Sequence, residues 1–291
     1  MIAPNAAPID RGPLQVGALT RAAAVAEVMA VAGALAETGT GLLETLADGV
    51  LPEAGGHYPA GEVWDQVTHA QYFFHAHPDG DRHPDEAGHF HTFLGQGGMP
   101  RGLVPLVLPE MALAPLKLPV KEKGGVSMTH RSARDRGVFS HLIGISVDAH
   151  GMPLSLFTTN RWVTGETWYR AEDVIRLLDR FAFAEPGPTV LVDRWLVAVL
   201  RLLHRPIVEL LLERDAAMMD WRRRRSRQSH VFDDRRLNTG ALLGRREPLY
   251  EGFLTALQRP LRKQRGNASA RCRVGISVDR DIHPAGARLF D

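Results

Sequence analysis

Gln71-Tyr72-Phe73-Phe74-His75-Ala76-His77 and, after an eleven-residue connection, His89-Phe90-His91-Thr92-Phe93-Leu94 decide the fold. The first run is rich in aromatic residues and stops at Pro78-Asp79-Gly80, a turn signal, and the second stops at Gly95. Short aromatic runs bounded by turn residues read as β-strands. In a strand, residues i and i+2 point to the same face. His75 and His77 therefore project together, as do His89 and His91, while Phe74, Ala76 and Phe90 face an apolar layer on the other side. Antiparallel pairing of the two strands would bring four imidazoles to one side of a hairpin.

Two more strands follow downstream, His141–Val147 and Pro153–Thr159, with Asp148-Ala149-His150-Gly151 as the hairpin turn between them. Upstream, the Ala-rich stretch from Val16 to Glu37 carries Val25, Val28, Met29, Ala32 and Leu35 at helical spacing. Thr40 is placed to cap a short helix with Leu42, Leu43 and Leu46 that ends at Gly49. Residues 50–63, with Pro52, Gly55, Gly56, Pro59 and Gly61, read as a loop, and residues 95–137 as an irregular crossing segment rich in Pro and Gly. After residue 170 the pattern turns helical. Val174, Leu177, Leu178 and Phe181 share one face, Asp193 caps a helix running from Arg194 towards His204, and Pro206 opens a helix reaching about Arg222. Leu249–Leu257 reads as a further helix and Arg273–Val278 as a late strand. No internal repeat is present. Helices, then strands, then helices is not the alternation of a doubly wound sheet. It gives an α+β fold, a central antiparallel sheet of about four strands with N-terminal and C-terminal helices packed on it. Residues 1–14 form a flexible leader, 15–258 one domain, and 259–291 a basic tail.

With 44% apolar and 23% charged residues among 291, the chain has the balance of a globular protein. The net charge of +2 says nothing about partners, but its distribution does. Met1 to Phe90 holds 12 acidic and 3 basic residues, and Arg214 to Arg265 holds 14 basic and 6 acidic ones. The single cysteine, Cys272, excludes an intrachain disulfide and has no local base to activate it. The N-terminus lacks the basic start and apolar core of a signal peptide, and no run of about 18 apolar residues exists, so no membrane contact and a cytoplasmic location are expected.

Five of the 13 histidines fall within residues 75–91: His75, His77, His83, His89 and His91. Neutral imidazole is the commonest transition-metal ligand. The two His-x-His pairs, His75 with His77 and His89 with His91, are the candidate metal ligands. Their donor set suits a divalent transition metal and does not distinguish Zn, Fe, Mn, Ni and Cu. Glu86 precedes His89 by three residues and is the candidate catalytic carboxylate, as general base or as orienting partner of a ligand. The pattern resembles cupin metal chemistry, without the glycine framing or strand number of the cupin barrel.

After the fourth strand comes a polar run with two tryptophans, Thr158 to Trp168. Trp162 and Trp168 would frame a pocket for a small molecule, with Asn160, Arg161 and Glu166 orienting it. Purely structural tryptophans with an Arg161–Glu166 ion pair are the alternative. Arg222–Arg225 reads as a solvated helix end. Nucleic acid is not an expected partner, because neither aromatic interleaving nor a known module accompanies the arginines.

Three stretches together, Gln71–His77 with Glu86–Phe93, His141–Trp168, and Glu213-Arg214-Asp215, resemble an uncharacterised bacterial family of unknown function. The shared pattern is an aromatic-His-x-His strand, a Glu-x-x-His-Phe-His-x-Phe strand and an Asn-Arg-Trp-Val-Thr-Gly-Glu loop. It covers roughly residues 55–240 and implies no activity. The sequence thus points to a transition-metal-binding protein and, on that site, a metal-dependent enzyme acting on a small polar molecule. The alternatives are a non-catalytic metal carrier or sensor, or a scaffold that binds an anionic partner through its basic C-terminal third.

Overall fold

The computed structural model describes residues 14–76, 85–108, 137–184, 187–224, 231–234 and 245–246, with 14–15 and 245–246 described by backbone alone. The elements in chain order are β1 (Leu14–Gln15), α1 (Arg21–Thr38), β2 (His57–Trp64), β3 (Ala70–His75), β4 (Gly88–Gly95), β5 (Phe139–Val147), β6 (Pro153–Phe157), the single turn α2 (Arg161–Thr164), α3 (Ala171–Leu178), β7 (Ala182–Phe183), α4 (Val190–Leu202), α5 (His204–Arg224) and β8 (Arg245–Arg246). Strands β2 to β6 run as an antiparallel meander, and β8 joins the β6 edge, giving the order β2-β3-β4-β5-β6-β8. The fold is α+β, as the order of elements implies.

The sheet has six strands rather than about four. One addition, β2, lies in the stretch that reads as a loop. Pro59 cannot donate to a ladder, and Gly61 and Glu62 take positive φ angles of 85° and 62°. The register with β3 slips between Tyr58 and Val63. An edge strand tolerates all three irregularities, because its outer side needs no partner. The second short helix is a 3-10 turn over Glu44–Leu46. The readings at Leu249–Leu257, Arg273–Val278 and Cys272 lie outside the described residues, as does most of residues 95–137.

One face of the sheet carries the core. Tyr72 and Phe74 from β3, Phe90 and Leu94 from β4, Ile143 and Ile145 from β5 and Leu156 from β6 are buried with α1 and α4 in one cluster. α1 starts where the Thr20 hydroxyl accepts the Ala23 N–H at 3.1 Å and stops at left-handed Gly39, with φ 69°. Its buried stripe is Ala24, Val25, Val28 and Val31. The inner helix α4 is buried almost all round, and its Trp195 ring meets Phe90 at 5.6 Å. Asp193 is not a cap: α4 begins at Val190, and the Asp193 carboxylate, in the first turn, accepts the Tyr72 hydroxyl at 2.7 Å and that of Thr189 at 3.2 Å. Burial, chiefly, pushes the Asp193 carboxyl up from 3.8 to about 6. Pro206 lies in the first turn of α5, where no helical N–H is lost. The Asp148–Gly151 hairpin forms as read, with the Asp148 carboxylate accepting the N–H groups of His150 and Met152.

Candidate functional site

The other face of the sheet is built of histidine, serine and phenylalanine. Residues directly opposite on neighbouring strands project to the same side. His57 of β2 lies opposite His75 of β3, His75 opposite His89 of β4, His89 opposite Ser146 of β5, and Ser146 opposite Ser155 of β6. One polar row therefore takes a residue from each of the five long strands. Two residues along, the next row on this face is Phe73, His91, Gly144 and Phe157. The third is Gln71, Phe93 and His141.

The imidazoles form a continuous string, edge-to-face from His57 to His91 and tilted between His91 and His141. Ring centroids are 4.6 Å apart for His57 and His75, 5.6 Å for His75 and His89, 4.8 Å for His89 and His91, and 5.1 Å for His91 and His141. Phenylalanines wall it in. Phe73 stacks on His57 at 4.9 Å, Phe93 stands 5.1 Å from His141, and Phe157 lies edge-on to His89 at 5.0 Å. Phe157 reaches across β5 because residue 144 is glycine: a Cβ there would run into its ring. His89, His91 and His141 are each under 5% exposed.

Hydrogen bonds orient two of these rings in the same way. Glu86 Oε1 lies 3.2 Å from His89 Nδ1, and the Glu86 side chain is buried. His141 Nε2 lies 3.1 Å from His91 Nδ1. Burial, with Arg214 nearby, lowers the His141 imidazole from 6.5 to about 3, so it is neutral at physiological pH. Behind it, Glu166 accepts the His141 backbone N–H at 2.8 Å and the Thr164 hydroxyl at 3.2 Å. Burial raises the Glu166 carboxyl from 4.5 to about 7, against the pull of Arg214 and these hydrogen bonds.

Of the expected ligands, the structure brings His75, His89 and His91 together on one face, and His77 lies outside the described residues. Among the described residues no three His, Cys, Asp or Glu side chains are placed to close on one ion. Two neighbours, His57 and His141, were not among the expected site residues. His57 sits in the stretch that reads as a loop, and His141 is the single histidine of its strand.

The Asn160–Glu166 segment is taken apart by its long-range partners. Asn160 Nδ2 donates to the Asp234 carbonyl at 2.9 Å, and Arg161 pairs with Asp233 rather than with Glu166. Gly165, left-handed at φ 67°, ends the turn α2 and sends Glu166 inward to His141. Trp162 is 46% exposed, whereas Trp168 is buried, stacked on Phe232 at 4.7 Å with the Arg214 guanidinium 4.3 Å from its ring. The two tryptophans therefore do not frame one pocket. Arg214 also donates to the Tyr169 carbonyl and to Asp215, whose other oxygen accepts the Ala171 N–H, which ties α5 to the start of α3. At the end of α5, Arg223 and Arg224 pair with Asp220 on an exposed surface. A cavity of about 220 Å³ at the end of the sheet is lined by Leu43, Leu51, Phe74, Ala76, Glu86 and Ala87, among others.

Fold and site together define an α+β protein with an apolar sheet face under helices and a buried histidine–phenylalanine face opposite. The chain belongs to the family described as domain of unknown function DUF6969, whose model matches residues 22–243. Comparison with curated proteins and with solved structures gives no match. Among the described residues, no helix is long and apolar enough to cross a membrane.

Proposed function

We propose that this chain is a transition-metal-binding protein of the cytoplasm, and that the bound divalent ion serves an enzyme acting on a small polar molecule. The observation that carries the reading is the register His57, His75 and His89 on three adjacent strands, with His91 beside it and Glu86 on His89 Nδ1. A histidine that ligates through one nitrogen is usually oriented through the other by a carboxylate or another acceptor. Glu86 does this for His89 and His141 for His91, so Nε2 is the ligating atom of both in this reading. His75 joins them from β3; His77, the other ligand of this reading, is two residues further along the sequence and lies outside the described residues. Imidazoles sharing an ion at about 2.0–2.1 Å carry ring centroids roughly 5 Å apart, the spacing of this string.

Glu86 orients His89 and is the proton-accepting carboxylate of this reading. It also borders the cavity at the end of the sheet, whose other lining residues include Phe74 and Ala76 of the apolar face. In this reading Trp162 is the exposed part of the substrate loop, Arg161 is half-buried, and Asn160 and Glu166 are buried. A closed, non-catalytic carrier or sensor is the second reading, favoured by the burial of His89 and His91. Elemental analysis of tag-free protein tests both. One equivalent of metal is expected in the natural protein, and a His75→Ala/His89→Ala double variant that still folds should lose it. An apo protein that takes up no metal on titration would remove the proposal.

A further inference from the structure

The chain from Gly98 to Leu108 forms a strap pinned beside both ends of α3. Arg180, just past the end of α3, donates through Nε to the Gly98 carbonyl, and the Leu106 N–H donates to the Trp168 carbonyl, just before its start, at 2.8 Å. Leu108 then enters a small core with Trp168, Met218 and Phe232. Between the pins the strap stands off the helix and leaves a cavity of about 560 Å³, lined by residues 100–107 and by Arg170, Asp173 and Arg176. Pockets for small molecules commonly run from roughly 300 to 1,000 Å³.

The charge on this cavity is one-sided. Arg101 comes from the strap wall, Arg170 and Arg176 from the helix wall, and Asp173 is the one acidic residue of the lining. Asp173 pairs with Arg176 at 3.4 Å, an exposed contact of the kind that holds little energy in water. Among the described residues the Arg101 and Arg170 side chains have no carboxylate partner, whereas Arg161 finds Asp233, Arg194 finds Glu27 and Arg205 finds Glu209. Three guanidinium groups against one carboxylate leave a surplus of two positive charges. Guanidinium groups bind oxyanions through paired N–H donors, and a phosphate monoester carries about two negative charges near neutral pH. The rest of the strap wall is aliphatic, and its Val104 and Val107 are 73% and 60% exposed. A bare ion would leave these valines in water, and an ion with an apolar body would cover them.

We propose that the cavity between the strap and α3 binds a small organic phosphate, with Arg101 and Arg170 on its dianionic head and the Leu103–Val107 wall against its apolar body. The site shares no residue with the histidine face and does not depend on the metal reading.

Isothermal titration calorimetry of the tag-free full-length chain, in buffer containing a chelator and with phenyl phosphate as the probe, tests this. One site is expected, with phenyl phosphate bound roughly tenfold more tightly than inorganic phosphate. Benzoate, with the same ring and one negative charge, is expected to bind more weakly. Arg101→Gln/Arg170→Gln changes two exposed side chains, so its melting temperature should hold while phenyl phosphate binds roughly tenfold more weakly. Val104→Ser/Val107→Ser should erase the preference for phenyl phosphate over inorganic phosphate. Arg205→Gln/Arg223→Gln, at exposed arginines outside the cavity, should bind as the natural chain does. Equal affinity for inorganic phosphate would mean an adventitious ion only and overturns the proposal. No binding, benzoate bound as tightly, binding unchanged in Arg101→Gln/Arg170→Gln, a preference that survives in Val104→Ser/Val107→Ser, or the same loss in Arg205→Gln/Arg223→Gln overturns it as well, and none of these outcomes touches the histidine face.

Discussion

Asp193 and Glu166 hold carboxyl groups that prefer to be protonated in the folded chain, at about 6 and about 7 against ordinary values of 3.8 and 4.5. The unfolded chain ionises each of them at lower pH than the folded chain does. Their contribution to stability is therefore complete below about pH 4 and is lost as pH rises through the folded values. Each raised carboxyl is worth at most roughly 3 kcal/mol across that window. Asp193→Asn keeps an oxygen for the Tyr72 hydroxyl and removes the charge. Urea midpoints measured from pH 4 to pH 8 should show the natural protein losing stability relative to Asp193→Asn between about pH 4 and 6. For Glu166→Gln the divergence should extend to about pH 7. Parallel curves at all pH values would mean that neither carboxyl is held neutral.

At the scale of elements, Gly144 decides whether β5 and β6 can share the Phe157 ring. In Gly144→Ala the added methyl meets that ring, which must leave its place against His89 and His91. Overpacking of this kind costs about 1–3 kcal/mol. The variant should unfold at lower urea and bind metal more weakly, and its near-ultraviolet circular dichroism should change where Phe157 packs. Unchanged stability and metal affinity would show that the phenylalanine wall does not position the histidines. The strands themselves were legible where alternation is clean: β3 and β4 announce Phe74 and Phe90 inward and His75, His89 and His91 on the reverse face. β2 was not legible, because Pro59 and Gly61 speak locally for a loop and only the edge position makes them tolerable. His57 was lost with it. His141 shares a face with His91 only through an irregularity in the β4–β5 register, between Thr92 and Phe93, that no spacing rule announces. The fates of Arg161 and Asn160 depend on Asp233 and Asp234, more than 70 residues downstream, so the substrate-loop reading could not see them.

Across the whole molecule, the candidate site and the sheet are the same object. The polar row draws on every long strand, and the rows of apolar residues between its members anchor the opposite face to α1 and α4. A ligand bound there couples strands that the unfolded chain leaves apart, so binding must raise global stability rather than order one loop. For an ion that binds only the folded state, the gain is about 2.7 kcal/mol at a hundredfold excess over Kd. Tag-free protein stripped by chelator should thus melt at a temperature that climbs with added metal. Loss of an orienting carboxylate costs roughly 10–100-fold in metal affinity, so Glu86→Gln should need that much more metal for the same rise. The His75→Ala/His89→Ala variant should show no rise at all. A melting temperature indifferent to metal in the natural chain would leave the histidine face as packing, a stack of imidazoles and phenyl rings that closes the second side of the sheet.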